Sequence, residues 1–284
     1  MAPIYKKQIM KIIKLLFLLV FISGCELPAY DVDKEAVQFK KENPTAYSTI
    51  KFEDRNIHYL KYGNPTAQPV VFVHGSPGSL GGWIRYINDP ELNKKFYLIS
   101  IDRPGFGNSG FGISEPSIDK QAEALYAVIE AEKLTNPILV GHSLGGPVIA
   151  RMAMNHPDQI YGLVFVAASV SPDLEETKWF QYPARWFGIK QIIPTELRVC
   201  NEEIMALKEN LIEMLPMWSK IKAKTIIIHG DEDDLVPIAN KDFLLKQLNP
   251  AVITDVVVID KMNHFIPWKK PFLIKQAIIK LKRN

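Results

Sequence analysis

The chain is expected to fold as an α/β protein, a mostly parallel, doubly wound sheet with a helical cap inserted after its sixth strand. Three observations predict this. Short apolar runs such as Val70–Val73, Ile138–Val140 and Thr225–His229 show little polar alternation, the pattern of strands buried on both faces of a parallel sheet. Helical stretches separate most of these runs, as parallel crossovers require. Residues 170–222 then break the alternation, holding helical stretches and no strand candidate between two strands. With 284 residues, 47% hydrophobic and 23% charged, the chain is long enough to bury one large core.

At the N-terminus, residues 1–14 are basic, Leu15–Ile22 is apolar, and the small residues Ser23 and Gly24 precede Cys25. That order reads as a secretory signal, with an apolar run too short to span a membrane. Ile22-Ser-Gly-Cys25 resembles the lipobox of bacterial lipoproteins. The resemblance implies that residues 1–24 are a signal peptide, that Cys25 carries lipid, and that the protein is membrane-anchored in the bacterial cell envelope, facing the periplasm or exterior. Stable anchoring needs more than one acyl chain. With Cys25 so used, Cys200 has no intrachain disulfide partner and is expected to be inert.

Residues 25–46 are polar without a sustained apolar period and read as a tether, with a short helix near Lys34–Lys41. Lys6, Lys7, Lys11 and Lys14 all precede Cys25 and no acid does, so the mature part carries 30 basic and 31 acidic residues. A nearly neutral domain gives no electrostatic reason to bind nucleic acid.

The domain proper is expected over 47–284. Tyr47–Phe52 and Asn56–Tyr62 read as a hairpin, followed by strands at Val70–Val73 and Phe96–Ile101. The helix after Ser117 places Ile118, Ala122, Leu125 and Ile129 on one face. Ile138–Val140 is a strand and 147–154 the helix after it. Tyr161–Val166, Thr225–His229 and Val252–Ile259 are the remaining strands, and 271–282 is the closing helix. Within the cap, about 170–222, Trp179, Phe180, Tyr182, Trp186, Phe187, Met205, Met214, Met217 and Trp218 are expected to serve mainly as its own packing.

Chemistry enters at Gly141-His142-Ser143-Leu144-Gly145, a G-x-S-x-G between strand and helix. This is the spacing of a nucleophile elbow, in which a serine sits on a strained turn with helix N-terminal amides beside it. A serine hydroxyl is a weak nucleophile and needs a neighbouring base, itself oriented by a carboxylate. In a hydrolase with this elbow the chain order is Ser, acid, His. His156, His229 and His264 follow Ser143; only His264 lies beyond the carboxylates at 231–234, in a loop after the last strand.

These pieces, with His74-Gly-Ser-Pro-Gly, Asp102-Arg-Pro-Gly-Phe-Gly-Asn-Ser, Gly230-Asp-Glu-Asp-Asp-Leu-Val-Pro and Asn263-His-Phe-Ile-Pro, resemble the α/β-hydrolases over residues 47–282. The family's G-x-x-D-x-x-V-P segment selects Asp233 among the four acids. The resemblance implies a triad of Ser143, Asp233 and His264, and an oxyanion hole made by backbone amides. Since Pro77 lacks an amide hydrogen, the donors are Ser76 N–H and Leu144 N–H. It implies a small-molecule acyl substrate, cleavage of a carboxylic ester through an acyl-enzyme, and no metal or organic cofactor. Asn263 departs from the glycine often found before that histidine. His74, Asp102 and Arg103 are expected to brace loops and Phe106 to line the site. Epoxide hydrolases and haloalkane dehalogenases share the pattern but place an aspartate where this chain has Ser143. Alternatives within the fold are a proline iminopeptidase-like enzyme, whose His-Gly-Gly-Pro-Gly differs at Ser76, and a carbon–carbon bond hydrolase. A ligand-binding homologue with little turnover is a further alternative.

Overall fold

A computed structural model describes residues 32–176, 181 and 191–283. The expected signal peptide and Cys25 lie outside the described residues, as do Trp179, Phe180, Tyr182, Trp186 and Phe187 of the cap. Eight strands form one sheet: β1 (Tyr47–Phe52), β2 (Arg55–Gly63), β3 (Gln68–Val73), β4 (Phe96–Ile101), β5 (Ile138–His142), β6 (Gly162–Val166), β7 (Lys224–Gly230) and β8 (Ile253–Ile259). Their order is β1-β2-β4-β3-β5-β6-β7-β8. The β1–β2 and β2–β4 pairs are antiparallel, and every pair from β4–β3 to β7–β8 is parallel.

The apolar runs behave as buried strands should. All five residues of β5 and of β6 are buried. Because side chains alternate across a strand, Val71, Val73, Leu139, Leu163, Phe165 and Ile227 enter one core. Val70, Phe72, Ile138, Val140, Val164, Val166, Ile226 and Ile228 enter the other. Helix α2 (Ile118–Ala131) and helix α3 (Gly145–Asn155) cover the first face. The Ser117 side chain caps α2 by accepting from Lys120 N, and the face predicted for it, Ile118, Ala122, Leu125 and Ile129, is the one buried. The closing helix α6 (Pro271–Lys280) covers the other face through Ile274 and Ile278.

Between β6 and β7 the described part of the cap holds helix α4 (Thr195–Met214), flanked by short 3-10 turns at Pro172–Leu174 and Leu215–Lys220. Its Leu207, Leu211 and Met214, with Trp218, join the core under α2 and α3. After β7 comes helix α5 (Ala239–Gln247).

The short helix expected near Lys34–Lys41 is helix α1 (Val32–Glu42), and it is docked on the domain. Phe39 is buried edge-on against Tyr62, and Ala46 is buried beyond it. A face that buries Phe39 while Val37 stays exposed leaves no periodic signal to read.

Candidate functional site

The parallel strands present their carboxyl ends along one edge, where an open α/β sheet builds its crevice. Ser143 leaves β5 with φ +54 in the left-handed region. For a non-glycine residue that conformation costs about 1–3 kcal/mol and persists only where the surroundings impose it. Here Ser143 N donates to Val166 O (3.0 Å), while Ser143 O accepts from Gly146 N (2.9 Å) and Ser169 N (3.2 Å). The turn also demands close backbone approach. A Cβ on Gly145 would lie 2.5 Å from Val73 O, and one on Gly141 2.5 Å from Gly145 O. Ser143 is half-buried and leads directly into α3, with Leu144 at the helix N-cap.

Across the edge, His264 and Asp233 meet. His264 Nδ1 lies 2.7 Å from Asp233 Oδ2, and both residues are buried. A carboxylate only accepts, so Nδ1 carries the hydrogen, which in the neutral ring is the tautomer with a lone pair on Nε2. Asp233 is fixed in turn: its Oδ1 accepts Leu235 N (3.0 Å) and Val236 N (2.8 Å). Asp231, Glu232 and Asp234 are exposed. The loops after β7 and β8 are stitched together, with Glu232 N donating to Met262 O (3.1 Å) and a Gly230 Cβ leaving no room, 2.0 Å from the same oxygen.

Among the described residues no hydrogen bond joins the Ser143 hydroxyl to the His264 imidazole. Their neighbours do touch. The His142 ring is 4.6 Å from that of His264, and its Nε2 donates to His264 O (3.1 Å). Catalytic hydrogen bonds are often long before substrate binds. Burial holds His142 well below the ordinary histidine range, so the ring is neutral and serves as a wedge under the histidine loop.

The loop after β3 lies directly over the elbow, since a Cβ on Gly75 would come within 2.9 Å of Ser143 Cβ. This puts Ser76 and Leu144 on the loops that flank Ser143. His74 braces the turn. Its Nδ1 donates to Gly75 O (2.7 Å) and its Nε2 accepts Arg103 N (3.0 Å). Burial and the Arg103 charge push its pKa down to about 3, which keeps that tautomer neutral. Asp102 fixes its own loop through Leu80 N, Asn108 N and His58. Phe106, expected to line the site, is instead buried edge-on to His74 with the Arg103 guanidinium over its ring. Burial pushes the Cys200 thiol up to about 11, so it is not a thiolate at neutral pH.

Two structural residues carried no sequence signal. Asn240 Oδ1 accepts Val170 N and Ser171 N (2.9 Å each) and secures the loop after β6. Glu203 on α4 is buried against Arg103 and is taken up below. His142, by contrast, stood inside the elbow motif, but only its ring contacts reveal its place.

A family model for the alpha/beta hydrolase fold matches residues 68–190. Among curated proteins, the chain is 29% identical over 115 residues to the dihydrolipoyllysine-residue acetyltransferase component of the acetoin cleaving system of Pseudomonas putida. That match covers 40% of this chain and 30% of the relative, so the chain spans about a third of that protein's length. It is 23% identical over 259 residues to the uncharacterised hydrolase YugF of Bacillus subtilis, covering 78% of this chain and 93% of YugF. Among solved structures, the monoacylglycerol lipase of Paleococcus ferrophilus superposes with a TM-score of 0.64 at 20% identity, over 79% of this chain and 98% of the lipase. The chain has the α/β-hydrolase fold.

Proposed function

We propose that the protein is a serine hydrolase that cleaves a carboxylic ester through an acyl-enzyme. The observation that carries this reading is the buried His264–Asp233 pair on the same sheet edge as a serine held at positive φ. Ser143 Oγ attacks the carbonyl carbon while His264 Nε2 takes its proton; Asp233 orients the imidazole and stabilises its charged form. The Ser76 and Leu144 amides receive the developing oxyanion, a contribution of about 3 kcal/mol per donor. His264 returns the proton to the leaving alcohol, then activates the water that releases the acyl group. The ester is proposed by analogy with the lipase that shares this fold.

The test combines fluorophosphonate labelling with multiple turnover on a panel of nitrophenyl esters. Labelling at Ser143 and turnover are both expected, and Ser143→Ala should lower turnover by about 10⁴-fold or more. Labelling without turnover would favour the ligand-binding alternative and defeat the enzymatic one.

The second half of the proposal is localisation: lipid on Cys25 anchors the protein in the cell envelope. Its support is the sequence pattern of residues 1–25. Among the described residues no helix is long and apolar enough to cross a membrane. Cys25→Ala is expected to move the protein from the membrane to the soluble fraction, and a variant that still partitions with membranes would refute anchoring through that residue.

A further inference from the structure

Arg103 leaves β4 and is fully buried, and all five of its guanidinium N–H groups are engaged. Nε donates to His74 O (2.9 Å) and Nη2 to Gly75 O (2.9 Å). Nη1 donates to Gln121 Oε1 (2.6 Å) and Glu203 Oε1 (2.8 Å), and Nη2 to Glu203 Oε2 (3.2 Å). Glu203, on the cap helix α4, accepts two more donors, Gln121 Nε2 (2.9 Å) and the Ser76 hydroxyl (2.7 Å). Arg103 from the core, braced by Gln121, and Glu203 from the cap thus close around the backbone that leads into Ser76.

Stability alone is a poor reason for such an arrangement. Burying an ion pair costs several kcal/mol of desolvation per charge, and an apolar pair of similar volume is often as stable. What an apolar pair lacks is direction. Two arms of Arg103 hold the carbonyls of residues 74 and 75, and Glu203 holds the side chain of residue 76 itself. We infer that Arg103 and Glu203 are positioning residues: they set the Ser76 peptide for the oxyanion and so make the cap a structural part of the oxyanion hole. The inference rests on the serine hydrolase reading and on Ser76 as donor. Neither residue touches the reacting atoms; both act through the loop that does.

Ser76→Ala keeps the amide and removes the hydroxyl that ties residue 76 to Glu203 and meets the Cys200 thiol. The double variant Arg103→Met/Glu203→Met removes both charges together and leaves no buried charge unpaired. With the nitrophenyl ester that the wild type hydrolyses best, kcat is expected to fall at least tenfold in both, with KM within about threefold. The rate of fluorophosphonate labelling at Ser143 should fall in parallel, because phosphonylation uses the same oxyanion donors. A purely structural network would instead lower the melting temperature and leave kcat per folded molecule unchanged. A competent wild type with either folded variant within threefold of its kcat overturns the inference alone. A wild type that neither labels nor turns over defeats the serine hydrolase reading, and the inference with it.

Discussion

The carboxyl edge of the sheet and the cap are held by different kinds of interaction. At the edge the fixing contacts are largely backbone ones: Ser143 is pinned by three main-chain hydrogen bonds, and glycines at 141 and 145 allow main chain to approach main chain. The cap is held by side chains. Glu203 meets Arg103, Asn210 reaches Ile118 N and Pro116 O, and Arg198 reaches Gly112 O. Backbone contacts tolerate exchange of side chains that point away, whereas side-chain contacts are rewritten by single substitutions. The same sheet can therefore keep its chemistry while its lid diverges.

Four measurements probe that contrast, beginning with the strongest. Asp233→Asn keeps the shape of the edge but reverses the hydrogen-bonding partner of His264 Nδ1, and should cost on the order of 10³–10⁴-fold in kcat with little change in folding. Steady-state kinetics beside circular dichroism checks it. Gly145→Ala strikes the backbone itself. The added Cβ would meet a carbonyl at 2.5 Å, so a loss of about 1–3 kcal/mol in denaturant stability is expected, with activity falling beside it.

The third measurement is the pH dependence of stability. His74 has a folded pKa of about 3 against an ordinary value near 6.5. Between those values the unfolded chain binds a proton that the native state refuses. Stability is therefore fully present above about pH 6.5 and falls as pH drops towards 3, with a slope approaching about 1.4 kcal/mol per pH unit from this residue. Urea midpoints measured from pH 7 to pH 4 should show the slope, and His74→Gln should reduce it by this residue's share, leaving that of His142 and His229, which burial also holds low. Smallest of all is Lys222→Ala at the rim beyond the cap. The Lys222–Asp158 pair is exposed on both sides, so its removal should shift stability by less than about 0.5 kcal/mol.

Much of the frame was legible because its signals are local. The eight strands lie within about two residues of where apolar runs ended at glycine, proline or charge, and α2 buries the stripe its spacing dictated. Asp233 stood out only through resemblance, since four acids share its loop; burial and the bond to His264 separate it from the others. Other features were illegible for physical reasons. Glu203 and Arg103 are 100 positions apart, and nothing in the sequence around a lone glutamate on a mixed helix announces a buried partner. Phe39 is one aromatic among charges, and a face that buries it while Val37 stays exposed has no period. Phe106 was expected to line the site, yet Arg103 and His74 claim its ring.

The docking of α1 bears on how an anchored protein would sit. Were residues 25–46 all free chain, the enzyme could roam some tens of ångströms from the headgroups. With the helix seated from Val32 onward, Cys25 stands seven positions before it, and seven residues span at most about 25 Å whatever their conformation. In the lipid-anchored reading this short reach keeps the domain at close standoff from the bilayer.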